Sequence, residues 1–248
     1  MGRSVKYEDP PIEEAVCEFR FSEDTPWDLT VPGLLFEQIR ETFPNRERRV
    51  LQQVRFAQGD SSTTQNLEIT ELVVLLSADR KTLVQIGPHL LSVNRLRPYQ
   101  GWGEYRPGIQ LAYDAVLRVV EVTALKRIGL RYVNRVRVPE AETELSRYFE
   151  FRPFIRDQLP QSAHSFMVGC EFPYRDGADM CRVQLATAAP PGPGLSGYVL
   201  DLDYYLAQPV GVKPCDAMQW VEAAHVEVRN VFEGCITDEL RALFGEVT

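Results

Sequence analysis

Histidine is scarce in this chain: its 248 residues contain only His89, His164 and His225. None of the three has a second His, Cys or carboxylate at metal-ligand spacing, so no metal site is expected. C-x-x-C pairs are absent. Cys17, Cys170, Cys181, Cys215 and Cys235 are odd in number, and most lie among apolar neighbours, where a thiol behaves as a small buried hydrophobe. Free thiols suit a reducing compartment. There is no G-x-x-x-x-G-K-[ST] loop to cradle phosphates, no G-x-G-x-x-G after a strand and no G-x-S-x-G elbow. The glycine-rich stretch Gly192 to Gly197 opens a strand instead of a helix, so it lacks the helix N-terminus that would hold an anion. Long hydrophobic runs are missing too. The longest, Leu72 to Leu76, is far too short to cross a bilayer, and polar Met1 to Glu14, with Pro10 and Pro11, has no apolar leader core. The expectation is a cytoplasmic protein with no metal, no cofactor and no membrane contact.

The composition is that of a globular protein, with 44% hydrophobic and 25% charged residues. Asp and Glu number 35 against 27 Lys and Arg, a formal charge of −8. Such a surface repels a phosphate backbone unless its basic residues gather on one face.

Periodicity predicts an α+β fold. Ala15, Cys17, Phe19 and Phe21 alternate with Glu18 and Arg20, the period-2 pattern of a half-buried strand. Pro32-Gly33 opens a short helix from Leu34 to Thr42, closed by Pro44. Extended runs follow at 50–58, 67–76, 82–86 and 90–93, with a hairpin turn at 78–81. A helix after Pro107-Gly108 carries Ile109, Tyr113, Val116, Leu117 and Val120 in one stripe. The pattern then restarts. Ile128 to Val138 alternates, with Ile128, Leu130, Tyr132, Val136 and Val138 on one face and Arg131, Val133, Arg135 and Arg137 on the other. A short helix after Pro139, strands at 165–172, 180–186 and 197–203, a helix from Asp216 to Phe232 and a shorter one near Leu240 complete the chain. The division expected is 1–124 and 125–248, two pseudo-repeats of strand, helix, three or four strands and helix. That order resembles the duplicated TATA-binding-protein fold, which implies a curved antiparallel sheet with helices on one side.

Tyr7 to Phe19 (YEDPPIEEAVCEF), Gly129 to Arg135 (GLRYVNR) and Val231 to Arg241 (VFEGCITDELR) also resemble the N-terminal, central and C-terminal motifs of a sporadically distributed bacterial family of about this length. The resemblance extends through Gln85-Ile86-Gly87 and Leu91 to Asn94. It implies a bacterial-type source and the limits of the fold, and no mechanism.

Candidate chemistry is sparse. His225 has Glu222 at i−3 and Arg229 at i+4, the surroundings of a solvated helix face; His89 falls in a turn and His164 before a strand. Asp201 and Asp203 share one strand face, and Arg182 on the neighbouring strand makes a cross-strand ion pair the expected arrangement. Two groups stand out as partner-binding candidates. One is the polar face of the opening strands, Glu18 and Arg20 with Arg131, Arg135 and Arg137. The other is an arginine-aromatic loop containing Arg95, Arg97, Tyr99 and Trp102. The reading is a non-enzymatic binding or assembly subunit of a bacterial multi-component system, recognising another protein or peptide of that system. Nucleic-acid or nucleotide binding by the arginine face is the alternative, and a hydrolase or nuclease using a histidine or Asp201 and Asp203 comes third. The sequence leaves the oligomeric state open.

Overall fold

The computed structural model describes residues 6–58, 63–160, 163–209 and 211–247, with side chains outside the description at 51–58 and 63–70. In chain order the elements are β1 (Lys6–Tyr7), β2 (Ile12–Phe21), α1 (Val31–Ile39), β3 (Asn45–Gln58), β4 (Thr63–Leu76), β5 (Thr82–Gly87), β6 (Leu90–Leu96), α2 (Trp102–Val119), β7 (Leu125–Val138), β8 (Met167–Tyr174), β9 (Asp179–Ala188), β10 (Ser196–Leu206), α3 (Ala217–Cys235), α4 (Asp238–Leu243) and β11 (Glu246–Val247). The fold is mixed α+β with an unclosed antiparallel sheet architecture and, among the described residues, four α-helices.

Two compact units share the chain. The inner unit is Cys17–Arg95 with Gln100–Lys126; the terminal unit is Met1–Val16, Leu96–Tyr99 and Arg127–Thr248. β2 contributes to both.

In the inner unit the strand order is β3-β4-β5-β6-β2, ending at an open edge on β3. Its hairpins are antiparallel, with Asn45 opposite Leu76, Val73 opposite Ile86 and Thr82 opposite Arg95. The inward residues of β2 are Cys17, Phe19 and Phe21, as alternation requires, and Phe19 stacks on Tyr113 of α2 with ring centroids 4.5 Å apart. The stripe expected on α2 is buried at Ile109, Tyr113 and Val116.

Both helices of this unit begin earlier than their prolines indicate. α1 starts at Val31, with Pro32 in its first turn, because a first-turn N–H needs no helical partner. Asp28 accepts hydrogen bonds from the backbone N–H and hydroxyl of Thr30 just ahead of it. α2 starts at Trp102, following Gly101 at φ 110°, and carries Pro107 inside it. A proline there forfeits one helical bond, the one that would reach Gly103. The stretch expected to be a loop is therefore the end of β6, a short connection and the opening turns of α2.

In the terminal unit the order is β2-β7-β10-β9-β8, with β8 at the edge. The N–H of Arg135 donates to the carbonyl of Pro11 at 2.7 Å beside β2, and β7 pairs antiparallel with β10 from Gly129–Tyr205 to Val138–Ser196. β7 buries alternate residues from Ile128 to Val138, Asn134 included. Asn134 belongs in that apolar row because its amide donates to the carbonyl of Leu200 at 3.0 Å. The short helix expected after Pro139 is only a 3-10 turn, Leu145–Arg147, followed by the buried Tyr148 and Phe149. α3 lies on the inner face of β10, and β1 pairs with β11. Tyr7 donates to the Glu233 carboxylate at 2.9 Å and Arg241 Nε donates to the same carboxylate at 2.9 Å. The first and last of the three motifs thus meet in one packed cluster, with Tyr7 edge-on to Phe244.

Candidate functional site

The face of β7, β10 and β9 opposite the helix side of the terminal unit carries a lattice of ion pairs. It is built by register. Asp203 lies directly across from Arg182 on β9 and from Arg131 on β7, and Asp201 lies across from Val133. Arg182 Nη2 donates to Asp203 at 3.2 Å, the cross-strand pair that the sequence led us to expect. Arg131 instead reaches diagonally and grips Asp201 through Nε and Nη2 at 2.7 and 2.6 Å. Arg127 donates to both oxygens of Asp203 at 3.1 and 3.0 Å and lies over the Tyr205 ring, 4.6 Å from its centroid. The Tyr205 hydroxyl donates to Glu171 on β8 at 3.1 Å.

Burial is unequal across these pairs. The Asp203 and Asp201 side chains are only 7% and 11% exposed, while those of Arg131 and Arg182 are 43% and 44% exposed. The carboxylates form a floor and the guanidiniums a half-wet surface above it. Burial raises the pKa of Asp203 above the ordinary carboxylate range, against the opposing pull of Arg127, Arg182 and Arg131. The fork of hydrogen bonds to Asp201 raises the already high pKa of Arg131. Arg135 donates to the carbonyl of Ala189 at 3.3 Å, and Arg137 is exposed farther along β7.

Gly129 makes room for this arrangement. A Cβ at that position would stand 3.0 Å from Nη2 of Arg127, so the glycine lets the guanidinium lie back across the strand toward Asp203 and Tyr205. Gly129→Ala is expected to push Arg127 off Tyr205. Loss of the cation–π and hydrogen-bond contacts should cost about 1–2 kcal/mol, read by chemical denaturation, and Arg127→Ala should abolish the difference between the two backbones.

The remaining candidates divide between the two units. Glu18 and Arg20 belong to the inner unit and pair with each other, Nε to Oε1 at 2.8 Å. Arg95 is buried there and donates to Thr82 Oγ1 and Gln100 Oε1, both at 2.8 Å. Trp102 stands edge-on to Tyr105, whose hydroxyl donates to the carbonyl of Val93 at 2.6 Å. In the terminal unit Arg97 donates to Asp9 at 2.8 Å. Tyr99 lies edge-on to Tyr132, their hydroxyls 3.4 Å apart. The Tyr132 hydroxyl is in turn 3.2 Å from Nδ1 of His225. His225 is therefore half-buried in a hydrogen-bonded row instead of on the solvated face its helical neighbours indicated. Burial, reinforced by Arg229 and opposed by Glu222, pushes its pKa down to about 4. His164 lines an open cleft of about 1220 Å³ beside Ser165 and Tyr198. Among the described residues no cluster of His, Cys, Asp and Glu could hold a metal ion, and no helix is long and apolar enough to cross a membrane.

Sequence reasoning missed Asp179. Its carboxylate is buried and accepts from Trp220 Nε1 at 2.9 Å, from the Tyr204 hydroxyl at 3.0 Å and from Arg175 at 3.0 Å. No family model matches the chain, and no curated protein matches it.

Proposed function

We propose that this protein is a non-enzymatic binding subunit that recognises an acidic segment of a partner protein on the open face of β7, β10 and β9. The observation that carries the reading is the clamping of half-exposed guanidiniums by nearly buried carboxylates: Arg131 by Asp201 and Arg182 by Asp203. Holding a rotamer-rich side chain costs about 0.5–1.5 kcal/mol when it happens on binding. Here that cost is met during folding, so the outward edges of these arginines are preorganised. Arg135 and Arg137 extend the same face along β7. Net charge argues for a limited, local anionic partner: a −8 chain attracts an acidic segment through a confined basic patch and repels a long phosphate backbone elsewhere.

Two further parts of the reading rest on sequence and element order. Strand, helix, four strands and helix is followed by strand, 3-10 turn, three strands and helix, which supports a duplicated architecture akin to the TATA-binding-protein fold. The motif resemblance supports a bacterial source, the odd set of free thiols supports a reducing cytoplasm, and the lack of catalytic signatures favours a subunit of a multi-component system.

The test is affinity capture from the native host, followed by binding measurements with the purified partner. Arg135→Glu with Arg137→Glu touches neither buried carboxylate, and it should weaken the complex at least about tenfold while leaving the melting temperature unchanged. Equal capture by wild type and variant overturns the reading. Steeply salt-dependent binding of single-stranded DNA, lost in the same variant, would transfer the face to nucleic-acid recognition instead.

A further inference from the structure

We propose that β8 is a docking edge for a second copy of this chain, which pairs antiparallel with it about a twofold axis at Gly169. The direction in which each β8 residue points its backbone follows from one hydrogen bond. Thr187 N–H donates to the carbonyl of Phe166 at 3.1 Å, and these residues are directly opposite each other by extension of the Met167–Ala186 register. Facing residues that exchange such bonds recur at every second position. Phe166, Val168, Cys170 and Phe172 therefore turn their backbone groups toward β9. Met167, Gly169, Glu171 and Pro173 turn theirs away from it, toward the edge where the strand order ends. The position of Pro173 agrees, since a proline facing β9 would remove a donor from the ladder.

The two sheet edges are protected differently. β3 opens with Arg46, Glu47, Arg48 and Arg49, the charged side chains that discourage edge pairing. β8 carries one charged residue, Glu171, and exposes Met167 at 71% and Phe172 at 41%. Val168, Cys170 and Phe172 stand opposite the buried Leu185, Val183 and Cys181, so they share that sheet face, yet Cys170 and Phe172 are exposed. Uncovered apolar side chains beside backbone donors that pair with no strand among the described residues are a template for another strand.

Charge and register select a second copy as the occupant. Copies of a −8 chain repel each other over most of their surface, so self-docking needs a stretch where like charges do not meet. With Gly169 opposite Gly169, Met167 of each copy faces Glu171 of the other, and each pair exchanges backbone hydrogen bonds. The carboxylate of Glu171 meanwhile accepts from Tyr205 of its own chain. On the other face Val168 meets Cys170 of the second copy, and Phe166 meets Phe172. This register leaves Pro173 at the end of the ladder opposite Ser165. Moving the axis by one residue, a slide of two in register, to oppose Cys170 with Cys170 would bring Pro173 against Met167 and strand a carbonyl.

The test is light scattering on the full chain over a concentration series. A concentration-dependent dimer is expected, and Gly169→Pro, which removes an outward donor, should weaken it at least tenfold while leaving the circular dichroism spectrum and Tm unchanged. A covalent trap checks the register independently. Facing residues of this kind have Cα atoms about 4.5 Å apart, within disulfide reach, whereas the diagonal Cys170–Cys170 separation is about 7–8 Å. Val168→Cys should therefore yield an intermolecular 168–170 disulfide on mild oxidation, and the wild type should yield none through Cys170. A monomer at every concentration overturns the proposal, as does a dimer indifferent to Gly169→Pro or a Cys170–Cys170 bridge in the wild type. Uptake on β8 of a strand from another protein by a monomeric chain also overturns it. Both variants retain Arg135 and Arg137, so capture of the acidic partner is a separate outcome.

Discussion

Asp179→Ala is expected to lower stability toward chemical denaturant by about 3–5 kcal/mol, the range for removing one partner from a buried charged network. Asp179 is 1% exposed and begins β9, yet its three donors come from separate places: Trp220 on α3, Tyr204 on β10 and Arg175 in the turn after β8. Alanine leaves the indole N–H and the phenol O–H buried without an acceptor, each worth about 1–3 kcal/mol. The half-exposed Arg175 adds little, about 0–1 kcal/mol, because water can take over its contact. The rings leave no room for relaxation, since Tyr204 packs 5.7 Å from Trp220 and 5.3 Å from Tyr174, centroid to centroid. Asp179→Asn keeps the shape and one acceptor oxygen, so about half the loss should return. With Trp220→Phe, which removes only the N–H, the double variant should be less destabilised than the sum of the singles by about 1–2 kcal/mol. A loss under about 1 kcal/mol for Asp179→Ala would mean that α3 is held to the sheet by apolar packing alone.

That network could not be read in the sequence. Tyr204 and Trp220 lie 25 and 41 positions from Asp179, and no local pattern relates them. What the sequence did carry was alternation. β2 and β7 bury the residues that a period of two assigns to one face, because a strand has only two faces to choose between. Helix starts were displaced for the opposite reason: Pro32 and Pro107 look like boundaries, but a proline is tolerated in the first turn and can be absorbed later for the loss of one bond. Among the site residues, the Arg182–Asp203 pair follows from facing positions on neighbouring strands. The Arg131–Asp201 fork does not, since its diagonal reach depends on the length and twist of the side chain. Arg95 sits among aromatic residues in the sequence, while its guanidinium turns inward to Thr82 and Gln100. Sequence order makes these arginines equivalent; burial separates the one committed to its own unit from those on the open face.

His225 offers the sharpest pH test. Its surroundings in the fold are Tyr132 on β7, Glu222 one turn before it and Arg229 one turn after it. Burial, the largest influence, and Arg229 both disfavour the imidazolium, while Glu222 favours it. The folded pKa of about 4 lies below the ordinary 6.5. As pH falls, the unfolded chain takes up its proton first, so stability is undiminished above about 6.5 and drains away as pH drops toward 4. Complete expression of that gap would be about 3 kcal/mol, and partial exposure of the ring reduces the expected loss to about 2 kcal/mol. His225→Gln keeps an acceptor for the Tyr132 hydroxyl and does not titrate. The stability difference between wild type and variant should therefore shift by about 2 kcal/mol between pH 7 and pH 4.5, in favour of the variant at low pH. Carboxylates titrate equally in both proteins and cancel in that difference. A difference that stays constant across the window would place His225 in water, and the row from Tyr99 through Tyr132 would then end at the phenol.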